Sequence, residues 1–189
     1  ELEYYLKRHA CYPQGDSMRI VDCHAIEQCL LKHEMVREAE CYKSPFGKVH
    51  ITISQRIPVL AVVSSNGYYY VDSDRRVMPI RGEVDKNLPM LNGAVTERAA
   101  MAEYFDFVSW LRDDKYWKER IRAIHVKTSK YIVLTQEGSD AKIILGELED
   151  YEDKLAKLRQ LYTKGFDQIG YPEYREYDLR FDNQVVGRK

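Results

Sequence analysis

The chain has 189 residues, with 29 Lys+Arg against 30 Asp+Glu and a formal net charge of -1, and the two signs are mixed along its whole length. That distribution excludes the basic face of a nucleic-acid binder and the acidic run of a disordered tail. The longest apolar run, Pro58 to Val63, is ended by Ser64, Ser65 and Asn66, far short of the roughly 20 residues that cross a bilayer.

In chain order, Leu2 to Lys7 reads as the end of a short helix, broken by Pro13, Gln14, Gly15 and Asp16. A second helix follows, with Asp22 as its cap and Ile26, Cys29, Leu30 and His33 recurring at helical spacing as one apolar stripe. The period then changes to two. Val36 to Tyr42 reads as a strand, Ser44 to Gly47 as a turn, and Val49, Ile51 and Ile53 alternate with His50, Thr52 and Ser54, which predicts a hairpin with one buried face. Ile57 and Pro58 mark a boundary, because proline forces its neighbour extended and cannot donate to a central ladder.

Beyond it, Val59 to Val63, a turn at Asn66 and Gly67, and Tyr68 to Val71 read as a second hairpin, and Arg75 to Val95 reads as loop. Thr96 caps a helix whose apolar positions are Ala100, Tyr104, Phe107, Val108 and Leu111, and which ends near Asp113 and Asp114. Ile121 to Lys127, Tyr131 to Gln136 and Lys142 to Leu145 predict an antiparallel meander. An amphipathic helix carries Tyr151, Leu155, Leu158 and Tyr162, with Gly165 as its expected stop. Two closing strands are expected from Tyr177, Leu179 and Phe181, alternating with Asp178, Arg180 and Asp182, and then from Gln184, Val185 and Val186. The 15 Tyr against 5 Phe suit sheets with one wet face.

Candidate chemistry is sparse. Cysteines 11, 23, 29 and 41 form no CxxC pair. One reading joins Cys29 and His33, a helical turn apart, with Cys23 or Cys41 as metal ligands, and another pairs the cysteines as disulfides in an oxidising compartment. A third leaves them free and apolar on a core-facing helix. The run Tyr70 to Asp74 resembles a strand ending in DxD for a Mg2+-dependent phosphoryl transferase. However, Arg76 stands where Thr or Val is usual, and no alternating βα units follow. A calcium loop starting at Asp72 is spoiled by Arg76 and by Val77 in the glycine position, so both patterns reduce to a surface turn. The five histidines have no spaced partner, and no GxSxG, HExxH, GxGxxG or P-loop pattern occurs. No enzyme activity, metal or cofactor is expected.

The order of elements is more telling. Gly15, Ile26, Glu27, Leu30, Val36, Ala39 and Glu40, then Gly47, Val49, Ile51 and Ile53, resemble the helix, glycine loop, helix and two strands of a POTRA domain. Gln55 to Val59 and Tyr69 to Asp72 resemble the junction of the FtsQ/DivIB cell-division proteins. Leu88 to Leu91 with Gly93, Lys154 to Gly165, and Asp178 to Phe181 with Gln184 and Val185 are similar to that family's later segments. Ala39 to Val49 and Tyr68 to Asp72 resemble its Bacteroidetes branch. The family's turn after the YVD run has Arg76 in place of glycine.

The resemblance implies an α+β fold: a truncated POTRA domain, residues 1–57 without its first strand, followed by a mainly antiparallel β-sheet domain with flanking helices, residues 58–189. It further implies a non-enzymatic divisome scaffold, held in the inner membrane by one helix absent here, with this region in the periplasm. The expected partners are FtsB/DivIC-like and FtsL-like proteins, which add a strand at the C-terminal sheet edge, and other membrane divisome proteins at the POTRA domain; no nucleic acid is expected. The contact residues expected there are Phe181 as apolar anchor, Arg180 and Arg188 as charges for an acidic segment, and Asp182, Gln184 and Val186 along the strand. Lys127 and Ser129 sit on a strand and turn near the same edge. Against the Phe181 assignment, that side chain shares a face with Tyr177 and Leu179 and could be core, while Asp178, Arg180 and Asp182 could themselves be the contact face. The alternative is a POTRA-bearing component of outer-membrane protein assembly or secretion.

Overall fold

A computed structural model describes residues 2–65, 67–166, 174–182 and 184–189. The chain divides into two compact units, Glu1–Ile57 and Pro58–Lys189.

The first unit contains helices α1 (Leu2–Arg8) and α2 (Cys23–Leu31) and strands β1 (Val36–Lys43) and β2 (Val49–Gln55). The Asp22 side chain accepts from the Ala25 N–H and so satisfies a free donor in the first turn of α2. Ile26, Cys29 and Leu30 recur on one side of α2 and bury against Leu6 and Val21, while Ala39, Cys41, Val49 and Ile53 supply the inner face of the antiparallel β1–β2 pair. Cys11 and Cys29 are joined by a disulfide. The metal reading of Cys29 with His33 is thereby overturned, because the Cys29 sulfur is bonded and the buried His33 Nδ1 accepts from the Met35 N–H. No group of three or more His, Cys, Asp or Glu among the described residues is placed to hold a metal ion.

Among the described residues, the second unit is built on a sheet of nine strands. Its strands are β3 (Pro58–Ser64), β4 (Gly67–Asp72), β5 (Val77–Pro79), β6 (Met90–Gly93), β7 (Ile121–Thr128), β8 (Tyr131–Gln136), β9 (Lys142–Gly146), β10 (Glu176–Asp178) and β11 (Val186–Arg188). Their spatial order is β11-β10-β9-β8-β7-β6-β3-β4-β5. Among the described residues, five of the eight pairings are antiparallel and three parallel. Alternate residues such as Leu60 and Val62, Ile124 and Val126, and Ile132 and Leu134 form one buried cluster with Phe107, Val108, Leu111, Leu155 and Leu158 from the helices. The opposite face of β6 to β10 carries a groove of about 350 Å³.

Several sequence expectations are corrected. Residues 75–95 are not simply loop: they contain β5 and β6, and β6 lies inside the sheet between β3 and β7, parallel to both, with Leu91 fully buried. The helix after Thr96 is two helices, α3 (Glu97–Met101) and α4 (Glu103–Asp113), separated at Ala102, whose ψ of -106° breaks the helical path. Helix α5 (Tyr151–Gln160) does not stop at Gly165, since the chain continues as a π-helical turn over Leu161–Phe166 that buries Tyr162 and Phe166. The closing strands are shorter than expected, and Leu179, Arg180 and Phe181 lie beyond β10. Asn66, expected in a turn, and Asn183, between the two closing strands, lie outside the described residues.

Asp72 makes a turn. Its Oδ1 accepts from the backbone N–H groups of Asp74 and Arg76, and the turn reverses at Arg75, which takes the left-handed conformation at φ 58°. No helix among the described residues is long and apolar enough to cross a membrane.

Candidate functional site

The expected contact residues converge on one end of the sheet. There β10 lies between β9, which runs parallel to it, and β11, which runs antiparallel. Backbone bonds secure the lattice: Lys142 N–H to Arg175 O at 2.9 Å, Leu179 N–H to Ile144 O at 2.9 Å, and Arg175 N–H to Arg188 O at 2.7 Å. β11 closes the order, and among the described residues no strand pairs with its outer side.

Tyr177 and Leu179 alternate into the core. Asp178 lies between them on the opposite face and is fully buried, so it is not the contact surface that the alternation allowed. Its carboxylate is held by charge: Arg180 Nε and Nη2 donate to Oδ1 and Oδ2 at 2.9 and 2.7 Å, and Arg188 Nη2 donates to Oδ2 at 3.2 Å. Hydrogen bonding from Arg180 keeps the Asp178 carboxyl below the usual carboxylate range, against the burial that would raise it. The same bond raises the Arg180 guanidinium further. Arg188 also reaches Glu176 Oε2 at 3.7 Å. Both arginines are therefore engaged within the chain.

Beyond Leu179 the strand pairing ends, and the chain turns outward at Phe181 and Asp182. Phe181 is 42% exposed and stands apart from the core that takes Tyr177 and Leu179. Gln184 is exposed, Val185 packs on the core, and Val186 is half-buried in β11. On the neighbouring hairpin, Lys127 is at the exposed end of β7 and Ser129 is in the turn to β8. Lys127 joins the edge cluster through Tyr131, whose ring lies 4.8 Å from its ammonium and 5.2 Å from the Arg180 guanidinium carbon. The lining of the groove includes Asn92, His125, Lys127, Tyr131, Lys142 and Glu176. Neither Lys127 nor Lys142 has a carboxylate partner among the described residues.

Three residues that shape this edge escape the motif reading. Tyr131 links the hairpin to Arg180. Gly146, at φ 80°, leaves room for the Arg180 stem, since a Cβ there would come within 2.7 Å of Arg180 Cγ. Gly187 lies under the Tyr174 ring, where a Cβ would be 2.9 Å from ring carbons. In the sequence, only the period-two exposure of Tyr131 opposite Ile132 hints at its place.

Residues 57–188 match the family model described as FtsQ/DivIB, C-terminal related, and residues 1–54 match that of a POTRA-like domain. No curated protein matches the chain.

Proposed function

The chain belongs to the FtsQ/DivIB family, whose members are non-enzymatic scaffolds of cell division, typically extracytoplasmic and membrane-anchored, and from that premise we propose that it binds FtsB/DivIC-like and FtsL-like partners by strand addition on β11. The observation that carries this reading is the position of β11 at the end of the sheet, with no strand paired to its outer side among the described residues. An extended partner segment gains backbone hydrogen bonds at such an edge, and pockets beside it choose the side chains.

Arg175 O and Leu179 N–H bond to β9, so Glu176 and Asp178 turn toward Arg188 and Val186 of β11, and alternation along β11 turns the Gly187 N–H and C=O outward, toward the incoming segment. Phe181 supplies the apolar anchor beside it, while Asp182, Gln184 and Val186 line its path. Arg180 and Arg188, being engaged with Asp178, act as the brace that keeps the edge in shape, and Lys127, with Ser129 beside it, offers the charge for an acidic partner residue. The POTRA-like unit recruits other membrane divisome proteins, and the whole region works in the periplasm on a single inner-membrane anchor. The FtsQ/DivIB match over the larger unit favours this over an outer-membrane assembly or secretion role.

The test is a pulldown of the chain with an FtsB-like segment, comparing wild type, Phe181→Ala, Lys127→Glu and a truncation after Asp182, with folding followed by circular dichroism. Phe181→Ala and Lys127→Glu each weaken binding by about tenfold or more, and the truncation abolishes it. Undiminished binding by folded Phe181→Ala and truncated chains overturns the proposal.

A further inference from the structure

Two of the four cysteines in the first unit, Cys11 and Cys29, are bonded to each other. Such a bond forms and lasts in an oxidising compartment, so the remaining two thiols, Cys23 and Cys41, meet the same conditions. They are not far apart. Cys23 opens α2 and Cys41 lies in β1, and both pack half-buried on the cluster of Leu6, Val21, Ile26 and Leu30.

Glu27 fixes their mutual position. It follows Cys23 by one helical turn and therefore shares its face of α2, and its Oε1 accepts from the Cys41 backbone N–H at 2.7 Å. The face of α2 that carries Cys23 is thus held on the very residue of β1 that carries the other thiol, and both thiols pack on the same small cluster. We propose that Cys23 and Cys41 are the site of a second disulfide, which ties the first turn of α2 to β1.

The bond forms by exchange with an oxidised disulfide donor, either a dithiol oxidase of the compartment or a small-molecule disulfide. The Cys23 thiol loses its proton and attacks one sulfur of the donor, whose S–S bond breaks to give a mixed disulfide and one donor thiolate, which is protonated. The Cys41 thiol then loses its proton and attacks the Cys23 sulfur, and the second donor sulfur leaves and is protonated. Two chain S–H bonds and one donor S–S bond become one chain S–S bond and two donor S–H bonds, so the donor takes up two electrons and two protons. The balance is the same whichever of the two thiols attacks first; burial, with the neighbouring Cys23, pushes the Cys41 thiol up to about 12.

Four cysteines admit three pairings. The one set by Cys11–Cys29 and Cys23–Cys41 interlocks two loops through the shared segment of α2. The hairpin would then be fastened to its helix covalently as well as by its small core. This inference does not depend on which partner binds the second unit.

The test uses the chain secreted into an oxidising compartment, alkylated in denaturant without reductant, digested and mapped by mass spectrometry. The expected result is two linked peptide pairs, Cys11 with Cys29 and Cys23 with Cys41, with no alkyl label on any cysteine. Label on both Cys23 and Cys41 beside an intact Cys11–Cys29 pair overturns the proposal, as does any other pairing. In Cys41→Ser, Cys23 becomes fully alkylated while Cys11–Cys29 persists; protection of Cys23 in that variant refutes Cys41 as its partner.

Discussion

Replacing Asp178 by Asn removes the charge at the centre of the sheet edge while keeping the shape of the side chain. The wild-type carboxylate accepts from Arg180 at 2.9 and 2.7 Å and from Arg188 at 3.2 Å. Asn retains one acceptor for Arg180 Nε and turns an N–H₂ toward the other two donors. Breaking a buried ion pair costs about 3–5 kcal/mol when the orphaned charge stays buried. Here the arginine side chains are 38% and 50% exposed, so water recovers part of their solvation, and the loss is about 2 kcal/mol. For a unit of this size, that lowers the melting temperature by about 6–10 °C.

The assay is urea unfolding followed by tryptophan fluorescence, which reads the second unit alone because both tryptophans, Trp110 and the buried Trp117, lie within it. The pH dependence carries a definite sign. The folded Asp178 carboxyl lies below its unfolded value of about 4, so its contribution is present above that value and is lost as pH falls through the folded one. The gap between wild type and Asp178→Asn is constant near neutrality and shrinks below about pH 4. A gap under about 0.5 kcal/mol at neutral pH, or one undiminished in acid, refutes the ionic account.

Other substitutions test the backbone and the first unit. Gly93→Ala places a Cβ 2.2 Å from the Val126 carbonyl oxygen at φ 98°; since backbone cannot yield as a side chain does, the second unit loses about 3 kcal/mol or more in the same urea assay. Gly146→Ala, with φ 80° and a clash against the flexible Arg180 stem, costs about 1–2 kcal/mol, and in combination with Asp178→Asn it costs less than the sum of the two, a coupling read from a double-mutant cycle. Cys11→Ser opens the Cys11–Cys29 loop, with its sequence separation of 18, and destabilises the first unit by about 2–4 kcal/mol. Its circular-dichroism melt shifts, while the tryptophan transition of the second unit does not move.

The legible parts of the fold were those specified by neighbours in sequence. Alternating Val49, Ile51 and Ile53 marked β2, and Asp22 and Thr96 cap their helices as their residue types required. Strand β6 was hidden because its four residues carry no period of their own; its place comes from β3 and β7, both distant along the chain. At the candidate site, the alternation around Asp178 was visible, but what it means depends on Arg188, ten residues on and across a strand pair. Phe181 emerges from the core for a reason no periodicity contains: the pairing of β10 to β9 and β11 ends just before it. The Cys11–Cys29 bond likewise had to come from the structure, since the spacing of four cysteines allows every pairing.

The two ends of the nine-stranded sheet are not equivalent. β5 is three residues long and finishes in Pro79, and a proline tolerated on an edge strand turns its donorless nitrogen away from the sheet. A head-to-tail chain of copies, with β11 of one joined to β5 of the next, would therefore meet a docking strip that lacks a donor, and the open-ended filaments that such heterologous contacts build are disfavoured. Contacts between like edges close on themselves. A strand added on β11 would therefore not be carried on into a filament through β5 of a further copy.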